Sequence, residues 1–243
     1  MSKKIAVIVG VGAEEGLGAS LCRRAAKAGH NVVVAGRTAA KVEKIAAEIV
    51  ASGGKAVAIA VDVTNETQVV DMFAKVGGMD GELDVVVYNV GNAFVHDTLT
   101  MSADFFETAW RSCCFGGFLV AREAGKRLQK QGHGSLLFTG ATASLKSRGP
   151  FMAFASAKAA LRAVAAAFAR ELGPQGVHVA HVIVDGMING DRVNSRMPEL
   201  KEKVGADGML DPDAIAEAYW QLHLQHSSAW TFEIDLRPFK ESF

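Results

Sequence analysis

The amino-acid sequence predicts a single-domain α/β protein, a three-layer α/β/α sandwich built on a doubly wound, parallel sheet of seven strands. Short apolar runs alternate with segments of helical period along the whole chain, which is typical of parallel sheets with right-handed crossovers. The runs are apolar on both faces, as are strands that helices cover on both sides. The length of 243 residues fits one such domain, and no repeat or linker divides residues 1–243.

The predicted strands are short and mostly β-branched or aliphatic. They are Ile5–Val9, Val32–Ala35, Ala56–Val61, Val85–Tyr88, Ser135–Phe138, Val177–Val184 and Trp230–Leu236. The segments at helical spacing between them are Leu17–Ala28, Ala39–Ser52, Glu66–Val76, Ser102–Gln131 and Phe154–Leu172. A further helix is predicted to begin after the capping residue Asp211, with Pro212 in its first turn, and to run to about Leu224.

One long irregular stretch, residues 186–208, follows the sixth predicted strand. Loops of that length in compact domains are usually functional or disordered. Because this one follows the carboxyl end of a strand, we expect it to be a substrate lid.

Charge and cysteine content exclude several classes of protein. Lysine plus arginine and aspartate plus glutamate each total 26, so there is no basic excess for a nucleic-acid partner. The three cysteines Cys22, Cys113 and Cys114 lack the spacing of a disulfide framework, a redox pair or a zinc site, which favours a reducing compartment. No apolar run approaches the about 18 residues of a membrane span. We therefore expect a cytoplasmic protein without a membrane or nucleic-acid partner.

The turn between the first strand and the first helix is rich in glycine. Gly12, Gly16 and Gly18 have the spacing G-x-x-x-G-x-G, and Leu17 lies at the start of the helix. Glycine lets backbone N–H groups approach a pyrophosphate, and the helix N-terminus carries a partial positive charge. The alternative is an ordinary strand–helix turn, but the position near the N-terminus favours dinucleotide binding.

The end of the second strand bears on the choice of dinucleotide. NAD sites usually place an acid there, whereas an arginine accommodates the 2′-phosphate of NADP. Gly36 supplies no acid and Arg37 supplies the cation, so NADP(H) is favoured over NAD(H). Two observations oppose this: Glu15 would repel that phosphate, and Arg37 is also explained as a solvated residue at a helix start.

Four motifs together closely resemble the short-chain dehydrogenase/reductase family over nearly the whole chain, which implies a Rossmann-type fold. The glycine turn matches in spacing, with Val11 where the family usually has threonine. Asp62 and Val63 resemble the pair that contacts adenine, and Asn89-Val90-Gly91 resembles the family's N-A-G motif. The segment from Phe154 to Ala160 has the frame of the family's Y-x-x-x-K helix.

The resemblance implies a four-residue catalytic set, of which only Lys158 is retained. It implies that this lysine binds the nicotinamide ribose and, in the family, lowers the pKa of the tyrosine; the alternative is a surface lysine on an alanine-rich helix. Phe154 stands at the position of the catalytic tyrosine, Ala141 at that of the serine and Cys113 at that of the asparagine. The P-G motif that follows the sixth strand reads Asp185-Gly186, and the two residues are expected near the nicotinamide. Gly190 stands where a nicotinamide-contacting threonine is expected.

Phenylalanine cannot donate a proton, and losing a positioned general acid typically costs ~10²–10⁴ in rate. The other tyrosines, Tyr88 and Tyr219, are not near this position in the sequence, and the offset used by enoyl reductases falls on Phe151. The ordinary carbonyl-reductase mechanism is therefore not supported.

Other side chains are candidates for the missing acid or for substrate contact, each with a simpler explanation. Thr142, flanked by Thr139 and Ser144, is either a hydroxyl facing the substrate or a local cap. Asp185 is either a proton donor with a raised pKa or the cap of the following turn. His96 is either a proton relay or a solvated loop residue. His178 and His181 point to opposite faces of a strand, so we expect no metal site.

Two functions remain open. The first is an NADP(H)-dependent oxidoreductase with a non-standard proton donor, acting on a small organic carbonyl, alcohol or activated alkene. The second is a catalytically impaired dinucleotide-binding protein that acts as a redox sensor or partner subunit. A hydrolase is less favoured because there is no G-x-S-x-G motif. The resemblance also implies a homodimer or homotetramer, and Ala163, Ala166 and Ala167 would allow close helix approach.

Overall fold

A computed structural model describes residues 3–241 of the chain and shows a seven-stranded sheet. Its strands are β1 (Lys4–Val9), β2 (Asn31–Gly36), β3 (Lys55–Ala60), β4 (Glu82–Tyr88), β5 (Ser135–Thr139), β6 (His178–Val184) and β7 (Glu233–Leu236). Their order is β3-β2-β1-β4-β5-β6-β7, and every neighbouring pair is parallel. The predicted α/β class and the doubly wound parallel sheet are therefore confirmed.

Helices cover both faces of the sheet. They are α1 (Leu17–Lys27), α2 (Ala39–Ala51), α3 (Glu66–Gly77), α4 (Ala103–Trp110), α5 (Gly116–Gln131), α6 (Met152–Leu172), α7 (Asp191–Arg196), α8 (Leu200–Val204) and α9 (Pro212–His223). Alternate residues of each strand face opposite sides, so two apolar clusters form. On β1, Ile5, Val7 and Val9 belong to one cluster, and Ala6 and Ile8 belong to the other.

The structure corrects the expected last strand. Residues from Trp230 were predicted to be extended, but β7 begins only at Glu233. The preceding segment is bound to Gln225 instead, whose side-chain oxygen accepts from the Thr231 N–H at 2.8 Å. The Trp230 indole donates to the Gln225 carbonyl oxygen at 3.2 Å. The bond to Gln225 occupies the backbone N–H of Thr231, a group that strand pairing would use.

Two further segments differ from prediction. The helix predicted over Ser102–Gln131 contains a π-helical turn at Arg111–Phe115, a wide turn that often marks functional sites. The segment 186–208 is not wholly irregular, because α7 and α8 lie within it. Both helices are too short for hydrophobic periodicity to show them.

The helical segment Gly149–Gln175, which contains α6, has a mean hydropathy of 1.4 and is the one described segment that meets the length and composition criteria for a membrane span. The same criteria are met by core helices of soluble proteins. Here α6 packs against β6, α5 and the π-helical turn, and 33% of its apolar window is buried.

Candidate functional site

The candidate site lies where the strand order reverses, between the carboxyl ends of β1 and β4. In doubly wound sheets, ligands bind in the crevice at this switch point. Asn89 links the two strand ends, because its backbone N–H donates to the Val9 carbonyl oxygen at 2.8 Å. Its side-chain amide also reaches the Gly10 carbonyl oxygen at 3.5 Å. Asn89 therefore lies beside the glycine turn.

The glycine turn is closely packed on one side and open on the other. A Cβ at Gly18 would lie 3.0 Å from the Gly10 carbonyl oxygen, whereas a Cβ at Gly12 would meet no atom within 4 Å. Helix α1 begins at Leu17, and its N-cap residue Gly16 provides no side-chain bond to the first N–H groups. An open turn before uncapped N–H groups fits the phosphates of a dinucleotide.

Packing explains why β2 ends in a glycine. A Cβ at Gly36 would lie 2.1 Å from the carbonyl oxygen of Val11 in the glycine turn. An acidic side chain therefore has no room at this position, and the exposed Arg37 follows directly.

The residues after β3 organise their own turn. The Asp62 carboxylate accepts from the Thr64 N–H at 2.9 Å and from its hydroxyl at 2.8 Å. Val63 is buried, and a Cβ at Gly116 would lie 2.6 Å from its methyl group. Both residues lie at the same edge of the sheet as the glycine turn, since they follow the carboxyl end of β3.

Lys158 is buried in the site rather than exposed on its helix. Its Nζ donates to the Thr139 carbonyl oxygen at 2.7 Å and to the Val90 carbonyl oxygen at 3.2 Å. A Cβ at Gly91 would lie only 3.1 Å from this ammonium group. Burial lowers the pKa of Lys158. The lysine thus supplies a fixed donor at the junction of the β4 and β5 ends.

The positions of the catalytic set converge around Lys158. The centre of the Phe154 ring lies 5.8 Å from the Lys158 Nζ, one helical turn away. Cys113, from the π-helical turn, is fully buried, and its Sγ would lie 3.6 Å from a Cβ at Gly91. Ala141 follows β5 and begins the short turn that packs against α6. None of these three side chains carries a hydroxyl group.

At the end of β6, three polar side chains form one connected group. They are Thr142, Asp185 and Arg237. The Thr142 hydroxyl donates to one carboxylate oxygen of Asp185. The other oxygen lies 3.0 Å from the Arg237 guanidinium. A carboxylate in an ion pair accepts hydrogen bonds and has no proton to give. The structure therefore gives no support to Asp185 as the acid.

Arg237 was missed by the sequence reasoning, although strand register could have found it. Val184 pairs with Leu236 in the parallel β6–β7 ladder, so the next residues, Asp185 and Arg237, emerge side by side. The Asp185 backbone N–H also donates to the Leu236 carbonyl oxygen at 2.8 Å. The tail after β7 then covers Gly186, where a Cβ would lie 2.8 Å from Pro238.

The remaining hydroxyl candidates have structural partners. The Thr139 hydroxyl accepts from Tyr219 at 2.7 Å, and the Ser144 hydroxyl accepts from the Ala141 N–H at 3.1 Å. Tyr88 donates to the Ser112 carbonyl oxygen. Burial raises the pKa of both tyrosines. Neither tyrosine replaces the missing phenol.

The side chains of His96, His178 and His181 also have partners in the structure. His96 lies against the Phe105 ring at 5.0 Å and its Nδ1 is 3.0 Å from the Asp97 carbonyl oxygen. His178 and His181 do face opposite ways: the former stacks on Trp230, and the latter bonds to Glu233 at 2.9 Å.

A histidine–aspartate cluster that spacing could not reveal lies at the opposite edge of the sheet. Both His30 and His223 place Nε2 near one Asp84 oxygen, at 2.7 and 3.0 Å, and the possible ligand atoms lie within 4.8 Å of one another. The Lys4 ammonium reaches the same oxygen at 3.1 Å. Within residues 3–241, these three side chains are the group whose spacing could hold a metal ion, and the sequence analysis did not predict it.

The predicted lid contacts the dinucleotide cleft. The Asp191 N–H donates to the Glu15 carbonyl oxygen at 2.8 Å, and the Asp191 carboxylate accepts from the Glu15 N–H at 3.0 Å. The Arg192 guanidinium donates to the Gly91 carbonyl oxygen at 3.1 Å. The lid thus bridges the glycine turn and the loop that follows β4.

Comparisons with known proteins agree on one family. Residues 4–200 match the sequence model of the family described as short chain dehydrogenase. The chain is 35% identical over 229 residues to the "Uncharacterized oxidoreductase YuxG" of Bacillus subtilis, covering 90% of this chain but 32% of that protein. The chain thus spans about a third of that relative's length. Versicolorin reductase 1 of Dothistroma septosporum is 31% identical, over 77% of this chain and 70% of that protein.

Solved structures give the same result. A short-chain dehydrogenase from Rhodopseudomonas palustris is 37% identical with a TM-score of 0.82, covering 98% of this chain and 99% of that chain. An alcohol dehydrogenase from Thermococcus sibiricus, complexed with 5-hydroxy-NADP, is 25% identical with a TM-score of 0.85, covering 99% and 98%.

Proposed function

The chain belongs to the short-chain dehydrogenase/reductase family, and from that premise we propose an oxidoreductase that uses NADP(H) in preference to NAD(H). Its substrate would be a small organic carbonyl, alcohol or activated alkene. The observation that carries the proposal is the buried Lys158 ammonium, held beside Gly91 next to an open glycine turn. The complex of the Thermococcus sibiricus relative with an NADP derivative supports it.

Each part of the cofactor would have a counterpart in this chain. When bound, the dinucleotide supplies or accepts the hydride. The N–H groups at Gly16, Leu17 and Gly18 would bind its phosphates, and Lys158 would donate to its nicotinamide ribose. Arg37 would bind the 2′-phosphate. The bonds of Lys158 to the Val90 and Thr139 carbonyl oxygens would hold its ammonium in place for this role.

Proton transfer would not follow the usual route. Phe154 and Ala141 offer no hydroxyl, and the Asp185 carboxylate is paired with Arg237. The Thr142 hydroxyl donates to Asp185, and it would have to turn from that carboxylate to orient a substrate oxygen. We therefore propose that Thr142 orients the substrate, that water supplies the proton, and that the substrate is activated enough to need little acid assistance.

We also propose that the protein assembles as a homodimer or homotetramer. Ala163 and Ala167 are exposed on α6, and Ala166 is half-buried. Small side chains on a long helix allow the corresponding helix of a second copy to approach closely. Light scattering of the purified chain measures this directly, and a monomer at all concentrations would contradict it.

The test restores the phenol. The change Phe154→Tyr should increase the wild-type rate of NADPH-dependent reduction of activated ketones by at least about tenfold, because a positioned acid typically contributes ~10²–10⁴. Phe118→Tyr, at an exposed position of α5, is the matched control and should leave the rate of NADPH oxidation unchanged. NADPH oxidation followed by absorbance measures the rate.

Three outcomes are informative. Binding of NADPH with turnover only in the Phe154→Tyr variant favours the redox sensor or partner subunit over an enzyme. Rapid ketone turnover by the wild-type chain that Lys158→Ala leaves unchanged would show that the site is misplaced. Absence of any NADPH or NADH binding would overturn the proposal.

A further inference from the structure

The histidine–aspartate cluster at the other edge of the sheet takes one side chain from each of three places in the fold. His30 immediately precedes β2, Asp84 lies near the start of β4, and His223 is the last residue of α9. All three side chains are more than nine-tenths buried, with exposed fractions of 4%, 8% and 7%. The tertiary fold therefore holds the cluster in place, far from the glycine turn at the carboxyl end of β1.

Three nitrogen atoms converge on a single oxygen of Asp84. The Nε2 atoms of His30 and His223 lie 2.7 and 3.0 Å from Oδ2, and the Lys4 ammonium lies 3.1 Å from the same atom. A carboxylate oxygen offers about two lone-pair sites, so three donors exceed its usual capacity. Because the Lys4 side chain is 53% exposed, it can turn to solvent and leave two imidazoles with one carboxylate.

The two imidazoles and the carboxylate have nearly the spacing of metal ligands. Their possible ligand atoms all lie within 4.8 Å of one another. In a tetrahedral zinc site, with bonds of about 2.0–2.1 Å, the ligand atoms are about 3.3 Å apart. The two Nε2 atoms would therefore move away from the carboxylate oxygen by less than about 1 Å to admit an ion.

The surroundings of the two rings also suit metal binding. His223 Nδ1 lies 2.8 Å from the Ser135 hydroxyl oxygen, so its N–H can donate there while Nε2 binds an ion. Within residues 3–241, His30 Nδ1 has no partner that would prevent it from carrying the proton instead of Nε2. The Trp220 ring packs against both imidazoles, with ring centres 5.1 Å from each. The rings are thus oriented before any ion binds.

We propose that His30, Asp84 and His223 bind one divalent ion of the zinc type, with water as the fourth ligand. Two imidazoles and one carboxylate suit Zn²⁺ or Co²⁺, whereas Mg²⁺ prefers a shell of oxygen atoms. The ion displaces the Lys4 ammonium and joins the end of α9 to β2 and β4. The site is separate from the dinucleotide site, so the inference does not rest on the proposed function.

Calorimetric titration of the purified chain, after treatment with a chelator, tests the proposal. We expect one Zn²⁺ or one Co²⁺ to bind per chain, and Mg²⁺ not to compete. Bound Co²⁺ should show the visible absorption of a four-coordinate ion without a thiolate band, because the three cysteines lie in other parts of the fold. Zn²⁺ should also raise the thermal unfolding temperature, because it binds the folded chain.

Variants separate the proposed ligands from other side chains. Ser135→Ala should weaken Zn²⁺ binding about tenfold, as expected for the partner of a ligand, and His223→Gln should weaken it further. Lys4→Gln should strengthen binding, because it removes a competing cation. Two exposed positions provide the matched controls, Lys3→Gln and His133→Gln, and each should change the affinity less than about twofold.

The results divide clearly. Weaker Zn²⁺ binding in His223→Gln together with stronger binding in Lys4→Gln supports the site, and Lys4→Gln and Ser135→Ala keep all three ligands if His223→Gln does not fold. Zn²⁺ binding that these variants leave unchanged would assign the ion to other side chains and overturn the inference. Absence of Zn²⁺ and Co²⁺ binding would identify the cluster as a hydrogen-bonded network alone and would also overturn it. NADPH binding is measured separately and decides only the proposed function.

Discussion

Lys158 and Phe154 form the least usual pair of side chains in the molecule. The lysine is retained and its ammonium is held by two carbonyl oxygens, while the ring one turn earlier carries no oxygen. Under the proposed function, Lys158 would bind the cofactor without a phenol beside it. Cofactor binding and proton transfer would then be separated in this chain.

Replacing Lys158 tests its role in binding. Lys158→Ala should weaken NADPH binding at least about tenfold, because a charged hydrogen bond worth about 1.5–3 kcal/mol is lost. Fluorescence titration measures this, with the exposed Lys146→Ala as the control. Thermal unfolding of both variants separates a loss of binding from a loss of fold. Unchanged affinity in a folded Lys158→Ala variant would contradict the assignment.

The position of Thr142 could be predicted from the sequence, but its hydrogen-bond partners could not. The sequence could place its hydroxyl after β5, but its partner Asp185 lies 43 residues away on the next strand. Arg237 completes the group only because β7 pairs in register with β6. Candidate residues could thus be predicted one at a time, whereas their hydrogen-bonded grouping required the register of the strands.

At the scale of elements, the lid is the segment that depends most on one position. Gly190 allows α7 to approach the Glu15 carbonyl oxygen, and Asp191 then fixes the contact. The helices α7 and α8 are too short to be stable alone, so tertiary contacts must hold them. Sequence periodicity could not predict them for the same reason.

Restoring a side chain at Gly190 should detach the lid. Gly190→Thr should speed proteolytic cleavage within residues 186–208, because its Cβ would collide with the Glu15 carbonyl oxygen. Gly173→Ala is the matched control, since a Cβ there meets no atom within 4 Å. Equal cleavage rates in the two variants would show that Gly190 does not fix the lid.

A buried histidine between β6 and β7 makes the stability of the fold depend on pH. His181 is fully buried, and burial lowers its pKa to about 4, although hydrogen bonding and charge from Glu233 oppose this. Unfolding returns the histidine to about 6.5. Between pH 4 and about pH 6.5 the unfolded chain therefore binds a proton at His181 that the folded chain does not bind. The free energy of unfolding is highest above about pH 6.5 and falls as the pH is lowered towards 4.

Urea unfolding at pH 7 and pH 5 measures this dependence. Between about pH 6.5 and pH 4, the free energy of unfolding should fall by up to about 3 kcal/mol more in the wild type than in His181→Gln. The reason is that the pKa of His181 differs by about 2.5 between the folded and unfolded chains. His133→Gln, at an exposed site, should behave like the wild type. Parallel pH dependences for wild type and His181→Gln would contradict the prediction.

At the scale of the whole molecule, the alternation of apolar runs and helical segments was enough to predict the sheet. Strands such as Val32–Ala35 are buried on both faces, so their composition alone marks them as central. Contacts between distant segments were not predictable. The Asp84 cluster joins side chains 54 and 139 residues apart, and the sequence carries no spacing that would reveal it.

The proposed reaction would take place at one edge of the sheet, at the carboxyl ends of β1, β4 and β5. The glycine turn follows β1, Lys158 lies at the ends of β4 and β5, and the predicted lid bonds to the loop after β4 through Arg192. Phe154 lies beside the lysine. A pyridine ring bound there would lie against an aromatic ring without a hydroxyl group. The polar Thr142 would then be the side chain left to orient the substrate.

A crystal structure of the wild-type chain with NADPH tests this most directly, through the side chains next to the nicotinamide C4 atom. We expect the Phe154 ring within van der Waals distance of the substrate space above C4, with the Lys158 Nζ bonded to the nicotinamide ribose. A nicotinamide ring bound away from Phe154, with another acidic side chain beside C4, would contradict the account.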